Sequence, residues 1–484
     1  MTIEHQQSPA TTAEQSGAPR LSGNLRTVQL VLSVMAWNAP LVIVMGVIPV
    51  MVAVGNGVGT PVAFIVAGAV VGAFAVGFTR MARVLPKPGA FYAYITAGLG
   101  KEVGLGAGLV TLLGYFAGYA GTFAFGGVVL GSLVEQVHGP SLPWPVWASV
   151  FWAGAAVLGY LHIELSAKVM SVLLLGEVAV VVAYDLAVAA HTGGSGLSAA
   201  PFAPSHWFDG SFGLALLYGL GMYGGFEVTA LYRDEVRSPE RTVPRATFAV
   251  IATAMVLYAT TSWAFVNAIG ADKAVAVVTA APEAAMTSSF ASVGSRILLD
   301  VATVLVNTST LAVLVAGHNI VSRYLFNLAA DRILPRQLGA VHPRHRSPHR
   351  ASVVASLAAL AVNVPVVILG LEPLGFYAAM LGITSFVLIL AMFLTNLSVP
   401  VYMRRHGKGH ASMWTTVLCP LLAGTGLVAA LILAAVNFPL MIAGSTGLAV
   451  TLLLFLAAVF GSGMLIARRF RRTRPDVYQH IGRQ

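Results

Sequence analysis

The sequence predicts an all-α integral membrane protein with twelve transmembrane helices. Three observations carry this. The 484 residues are 57% hydrophobic and only 10% charged, where soluble chains carry about 25% charged residues. Apolar runs recur from residue 31 to residue 468, many of them longer than the roughly 18 residues that mark a membrane-crossing helix. The runs are continuous rather than alternating, so helices and not barrel strands satisfy the backbone within lipid.

Taken in order, the predicted spans are 31–54, 61–83, 102–131, 144–161, 166–190, 211–232, 246–269, 295–322, 351–370, 374–402, 412–436 and 443–467. Residues 1–28 read as a disordered, polar cytoplasmic tail with no cleavable signal. Residues 29–190 hold the first five spans, 211–403 the next five and 411–468 the last two, before a basic cytoplasmic tail over 469–484. The positive-inside rule tests this count. With both termini cytoplasmic, all but Lys273 and Arg296 of the 28 lysines and arginines fall on that side. The net charge of +10 therefore reads as orientation in a bilayer and not as nucleic-acid binding. The one cysteine, Cys419, lies in an apolar run, which leaves no disulfide within the chain and no redox motif.

Two spans are poor helices in their middles. The first reads VLSVMAWNAPLVIVMGVIPVMVAVG, with Pro40, Gly46 and Pro49; proline removes a helix hydrogen bond. The sixth reads SFGLALLYGLGMYGGFEVTALY, with Gly219, Gly221, Gly224 and Gly225, and each interior glycine costs about 1 kcal/mol relative to alanine. Spans 1 and 6 are equivalent if spans 1–5 and 6–10 form an inverted repeat. Paired breaks at equivalent positions point to a midplane site where unwound backbone grips a small polar cargo. The candidate cargo contacts are Trp37, Asn38, Ala39, Pro40, Gly221, Tyr223, Gly224 and Gly225. Asn38 either binds cargo or caps the broken ends, and Tyr223 either lids the site or packs within the helix.

Three motifs then carry a family resemblance: LPKPGAFYAYITAGLG with Tyr92 and Tyr94, GGFEVTALYRDEVRSPERTVPRA from Gly224 to Ala246, and SRYLFNLAADRILPRQLGAVHP. In this order they resemble the amino acid–polyamine–organocation permeases over nearly the whole chain. The resemblance implies a LeuT-like fold of two inverted five-helix halves plus two peripheral helices. It also implies alternating access around a site between helices 1, 3, 6, 8 and 10. The WNAPLVIVMG break departs from the family's usual Gly-Ser-Gly type of cradle for an α-carboxylate.

Ionisable groups within spans cost about 2.5–3.5 kcal/mol or more at the bilayer centre. Glu177 lies about ten residues into span 5, roughly 15 Å deep at about 1.5 Å per residue. Relatives carry a lysine at the corresponding position, so a glutamate reverses the charge. It is a proton acceptor or cation ligand that couples transport, or a protonated acid bonded to a neighbouring helix. Glu227 follows the span 6 break. The family implies a gating, proton-linked acid there; its bland role is to cap the lower half-helix. Thr308, Ser309 and Thr310 lie where sodium-coupled relatives place hydroxyl ligands, although such hydroxyls commonly bond back to their own helix. Asp185 and Asp300 lie nearer the outer ends of their spans, where exposure to water explains them. His342, His345 and His349 read as a solvated basic loop. No metal site and no cofactor are expected.

The expected function is secondary active transport of an amino acid or related amine across a plasma membrane, a bacterial inner membrane by composition, coupled to protons. Sodium coupling and polyamine or amino acid exchange remain alternatives. A non-transporting sensor or membrane enzyme is disfavoured, because no catalytic constellation and no output domain are visible. The partners are then a small molecule, a proton or sodium ion, and lipid, with no nucleic acid; oligomeric state is not legible.

Overall fold

The computed structural model describes residues 25–85, 90–161, 167–193, 196–233, 236–294, 296–342, 347–406, 413–442 and 444–482. The expected disordered tail lies outside them up to residue 24. Within the rest of that stretch, Leu25 pairs as a β-bridge with Val236, and the first helix, α1 (Thr27–Asn38), follows at once.

α1 ends where Ala39 turns left-handed, at φ 40°. A left-handed non-glycine residue costs roughly 1–2 kcal/mol, and Pro40, with no N–H to orphan, starts the next helical turn. That turn, α2 (Pro40–Val42), runs into π-helical stretches Ile43–Val47 and Met51–Gly55 around the short α3 (Ile48–Val50). Gly46 and Pro49 thus widen the helix, and the break itself is confined to Ala39. A tight turn at Gly57–Gly59 leads to α4 (Thr60–Val84). Then come the short α5 (Ala90–Leu99), α6 (Lys101–Gln136), α7 (Trp144–Tyr160) and α8 (Ala167–Thr192).

The second break is cleaner. α9 (Phe212–Met222) stops, residues 223–227 form turns, and α10 (Val228–Leu231) resumes for one turn. Gly219 and Gly221 remain helical; Gly225, at φ 105°, is the left-handed hinge. α11 (Pro239–Ile269) follows, then two short helices, α12 (Ala274–Ala280) and α13 (Pro282–Val293), then α14 (Arg296–Ala330), α15 (His349–Ile368) and α16 (Pro373–His406). The chain ends with α17 (Cys419–Val436), the single turn α18 (Phe438–Met441), the long α19 (Thr446–Thr473) and α20 (Pro475–His480). The expected 469–484 tail is therefore helical in large part.

Among the described residues, ten helical segments are long and apolar enough to cross a membrane. The expected twelve differ by two for a physical reason. α7, with 17 residues, is at the short end of the crossing range, and the sixth span is divided into pieces of 11 and 4.

The long helices pack through small residues, as expected where lipid competes for apolar side chains. α6 is central, touching α14, α16 and α19. A methyl on Gly463 of α19 would fall 2.7 Å from the Gly106 Cα of α6. On α16, Ser398 crowds Gly98 and Thr384 crowds Gly118. Outward faces stay apolar: Leu454, Leu465 and Val436 are 65%, 64% and 72% exposed, a surface suited to lipid chains. This packing makes a sharp distinction within one helix. Gly463→Ala is expected to destabilise by about 1–3 kcal/mol through overpacking. Gly461→Ala, with nothing within 4 Å, is expected to be neutral or stabilising, since alanine favours helix by about 1 kcal/mol. Thermal unfolding in detergent checks both.

Candidate functional site

The two breaks meet. A methyl on Gly225 would fall 2.2 Å from Trp37 Cδ1 and 2.7 Å from Asn38 Oδ1. Glycine is therefore required twice over, by its positive φ and by the side chains lying against it. On its other side Trp37 lies against Gly317 of α14, whose added methyl would sit 2.8 Å from Cζ3. Tyr115 of α6 meets the indole edge to face at 6.0 Å. Gly221 and Gly224 face α16, against Ser385 and Leu388. Elements α1, α6, α9, α14 and α16 thus converge on the two interruptions.

Asn38 is 6% exposed, and neither its amide nitrogen nor its carbonyl oxygen has a hydrogen-bond partner. It therefore caps neither broken end. A buried polar atom left unpaired costs about 1–3 kcal/mol and calls for an explanation in function. Pro40 starts the outgoing turn, and the Leu41 N–H beside it donates to Glu177 Oε2 at 3.4 Å. That distance marks a weak bond.

Glu177 is 3% exposed. Its neighbours are the Leu41 N–H, the Ser309 hydroxyl of α14 and Tyr258 of α11. Ser309 Oγ and Tyr258 OH are both buried without a hydrogen-bond partner. The expected hydroxyl trio divides accordingly. Thr308 donates to Leu305 O at 2.9 Å and Thr310 to Val306 O at 2.8 Å, so both bond back into α14 and only Ser309 faces the acid.

Glu227 is fully buried. It stands at the N-cap position of α10, yet its side chain makes no cap bond to that helix. It accepts instead from the Gly225 N–H at 2.9 Å and from the Tyr115 hydroxyl. The capping expectation fails because residues 223–227 are already turned: the carboxylate reaches back to the hinge amide two residues earlier. Glu227 thus ties the hinge to α6, and Tyr324 of α14 packs at a tilt against Tyr115, 5.5 Å between ring centroids.

Tyr223 does not lid the breaks. Its ring is 1% exposed, and its hydroxyl donates to Phe64 O of α4 at 2.8 Å. Asp300 is exposed, as expected. Asp185 is half-buried and accepts from Thr261 of α11 at 3.0 Å, with its other oxygen buried and unpaired; exposure to water does not account for it. His345 lies outside the described residues. His342 and His349 pack edge to face at 5.3 Å beside Tyr160. Among the described residues, no group of three or more His, Cys, Asp or Glu side chains is placed to hold a metal.

Some participants escape sequence reasoning. Tyr115 and Tyr119 are one turn apart on α6, interleaved with Gly114, Gly118 and Gly121. That four-residue spacing in GYFAGYAG was the available signal for a face packed close to other helices. Tyr119 bonds His318 Nδ1 at 2.9 Å, and His318 Nε2 bonds Ser352 Oγ at 2.7 Å. This buried relay braces α14 behind Gly317. His318 fits because Gly159 lacks a side chain; an added methyl would sit 2.1 Å from the imidazole.

Comparison with known proteins agrees with this architecture. The amino acid permease profile matches residues 29–476. The chain is 28% identical over 263 residues to an uncharacterized transporter of Mycobacterium tuberculosis, covering 54% of this chain and 53% of that one. It thus spans about half the length of such curated relatives. It is 28% identical over 378 residues to the branched-chain amino acid permease BcaP of Lactococcus lactis, covering 73% of this chain and 76% of that protein. The BcaP of Bacillus subtilis is 25% identical over 321 residues, 62% of this chain and 66% of that one. Among solved structures, the nucleobase-cation-symport-1 family transporter Mhp1, in a closed conformation with bromovinylhydantoin bound, superposes with a TM-score of 0.51. That match has 17% identity and covers 87% of this chain and 93% of Mhp1; it speaks to the fold alone. With the profile running from the first helix to the last, the chain belongs to the amino acid permease family.

Proposed function

We propose that this protein is a secondary active transporter of amino acids, working by alternating access around the paired breaks and coupled to protons through Glu177. The observation that carries the reading is Asn38: a buried, unpaired amide beside a left-handed residue, facing a glycine hinge. In a monomeric core such a group is a cost with no return; beside unwound backbone it is a ready partner for a polar cargo. The α2 turn is helical but too irregular to complete a crossing unaided, and the sixth span is divided. With the first span counted whole, α7 and the divided sixth span complete a twelve-helix arrangement of two inverted five-helix halves plus two, with both termini cytoplasmic in a plasma membrane. The charge asymmetry of the loops supports that orientation.

The names of the two BcaP relatives make branched-chain amino acids the first cargo to test. Leu388 against Gly224 and Trp37 against Gly225 give the breaks apolar surfaces suited to an aliphatic side chain. The environment of Glu177 supports the proton-coupled reading. Among the described residues no lysine or arginine forms an ion pair with it, and the Ser309 hydroxyl beside it is buried with no hydrogen-bond partner. The sodium reading is weaker, because Thr308 and Thr310 are engaged by their own helix.

Uptake into proteoliposomes tests both coupling and cargo. For one proton per cargo, a one-unit pH step supports about tenfold accumulation. Glu177→Gln is expected to bring accumulation down to about the equilibrium ratio while exchange of labelled for unlabelled cargo continues. Accumulation driven by a sodium gradient, and indifferent to pH, would sink the assignment. The hinge has its own test. Gly225→Ala is expected to lose cargo-induced thermal stabilisation and to destabilise the fold by about 1–3 kcal/mol from strain alone. Gly46→Ala, with open space around it, is expected to leave both unchanged.

A further inference from the structure

The Tyr-x-Tyr motif of α5 places its two rings on opposite sides of a short helix, since residues two apart on a helix point roughly 200° apart. Phe91 and Tyr94 join an aromatic cluster with Phe74, Phe78 and Phe226. Tyr94 lies 5.1 Å from Phe78, Phe91 lies 6.4 Å from Phe74, and Phe226 lies 5.8 Å from Phe74 and 5.7 Å from Phe78. Phe226 sits within the sixth-span break, between the hinge Gly225 and Glu227. One face of α5 therefore reaches the moving part of the site.

The other face meets the C-terminal segment. Tyr92 donates to Asp331 Oδ2 at 3.0 Å, at the end of α14. The Gly482 N–H reaches both groups, Tyr92 OH at 3.0 Å and Asp331 Oδ2 at 3.2 Å. Asp331 is 2% exposed, so this is a desolvated three-way junction and not a surface contact. Around it the tail is seated by apolar burial: Val477 and Ile481 are 2% and 1% exposed. Lys101 of α6 donates to Gln479 O at 2.9 Å and lies 5.0 Å over the Tyr478 ring. The exposed Arg332–Asp476 pair, at 3.2 Å, adds little, as exposed pairs do. Gly482 is left-handed, at φ 72°, and an added methyl would fall 2.5 Å from Thr96 Cγ2 of α5.

We propose that residues 475–482 form an inner latch, with Asp331 and Tyr92 as its positioning residues. The docked tail holds α5 in place, α5 holds Phe226 through the aromatic cluster, and the sixth-span break stays sealed from the inner side. Undocking precedes discharge of cargo inward. The two sequence motifs that carry Tyr92 and Asp331 are joined by the last described residues of the chain. The latch rests on the alternating-access reading, so its test includes a readout that needs no transport.

Ile481→Asp and Gly482→Ala, each in the full chain, unseat the tail without altering α5 or α14. Tyr92→Phe removes the junction hydroxyl and retains the ring. Each is combined with Cys419→Ala and Ser322→Cys. Ser322 is 2% exposed on α14, between Gly317 and Asp331, and its hydroxyl has no partner, so cysteine replaces it with little change of shape. The latch predicts at least a threefold faster reaction of that cysteine with maleimide in all three variants of the purified protein. A conformational tax then falls on outward-side cargo binding, and KM from that side is expected to rise by a similar factor while exchange persists. Unchanged maleimide rates in Ile481→Asp and Gly482→Ala would overturn the latch. So would variants that lose cooperative unfolding altogether, since the tail would then be a structural clamp only. A parent protein that moves no amino acid, with maleimide rates that still rise in the variants, would reject the transport reading and leave the latch standing.

Discussion

The structure turns on a backbone interrupted twice in a medium with no water to repair it. A broken helix leaves N–H and C=O groups unpaired, and in hydrocarbon each costs several kcal/mol. Both breaks are therefore pressed against each other and against the protein. Gly225 accepts the Trp37 indole and the Asn38 amide into the space a side chain would fill. Its own N–H is given to Glu227, and the Leu41 N–H is given, weakly, to Glu177. Two carboxylates thus answer two breaks, one for each half of the chain. Asn38, between the two breaks, has neither amide atom paired.

The same constraint explains why glycine governs the helix packing. Polar groups deep in the bundle must be reached by short contacts, and small residues let backbones approach. Gly317 admits Trp37, Gly159 admits His318, and Gly118 admits Thr384. Tyr119, His318 and Ser352 then brace α14 from behind with hydrogen bonds of 2.9 and 2.7 Å. α6 and α14 share this polar spine, and the broken helices lean on it. α5 connects the two regimes through an aromatic cluster on one side and a buried carboxylate junction on the other.

Legibility in the sequence varied with the range of the interaction. The breaks were visible because proline and glycine act on their own helices; their positions at Ala39 and Gly225 fell within the predicted stretches. Thr308 and Thr310 bonded to their own helix, an outcome weighed from the local pattern. Glu227 as a helix cap was a local expectation too, and it failed because the turns at 223–227 redirected the carboxylate to Gly225 and to Tyr115 on another helix. For Tyr223 the local pattern left a lid and helix packing open, and its bond to Phe64, 159 residues away, decides for packing. The tail is legible only as basic, and its apolar Val477 and Ile481 give little warning that it is seated.

By itself the sequence determined the helical class, the approximate position of each apolar run, the two interruptions and the family. The first three depend on composition and on periodicity within one helix, which the bilayer enforces without reference to neighbours; the family rests on the resemblance carried by the three motifs and their order. Only the tertiary structure decided which groups meet. Tyr115 and Glu227 are 112 residues apart, Leu41 and Glu177 are 136, and Asp331 and Gly482 are 151. Such pairings follow from how far each helix is rotated and how closely glycine lets it approach, and no local pattern records either quantity.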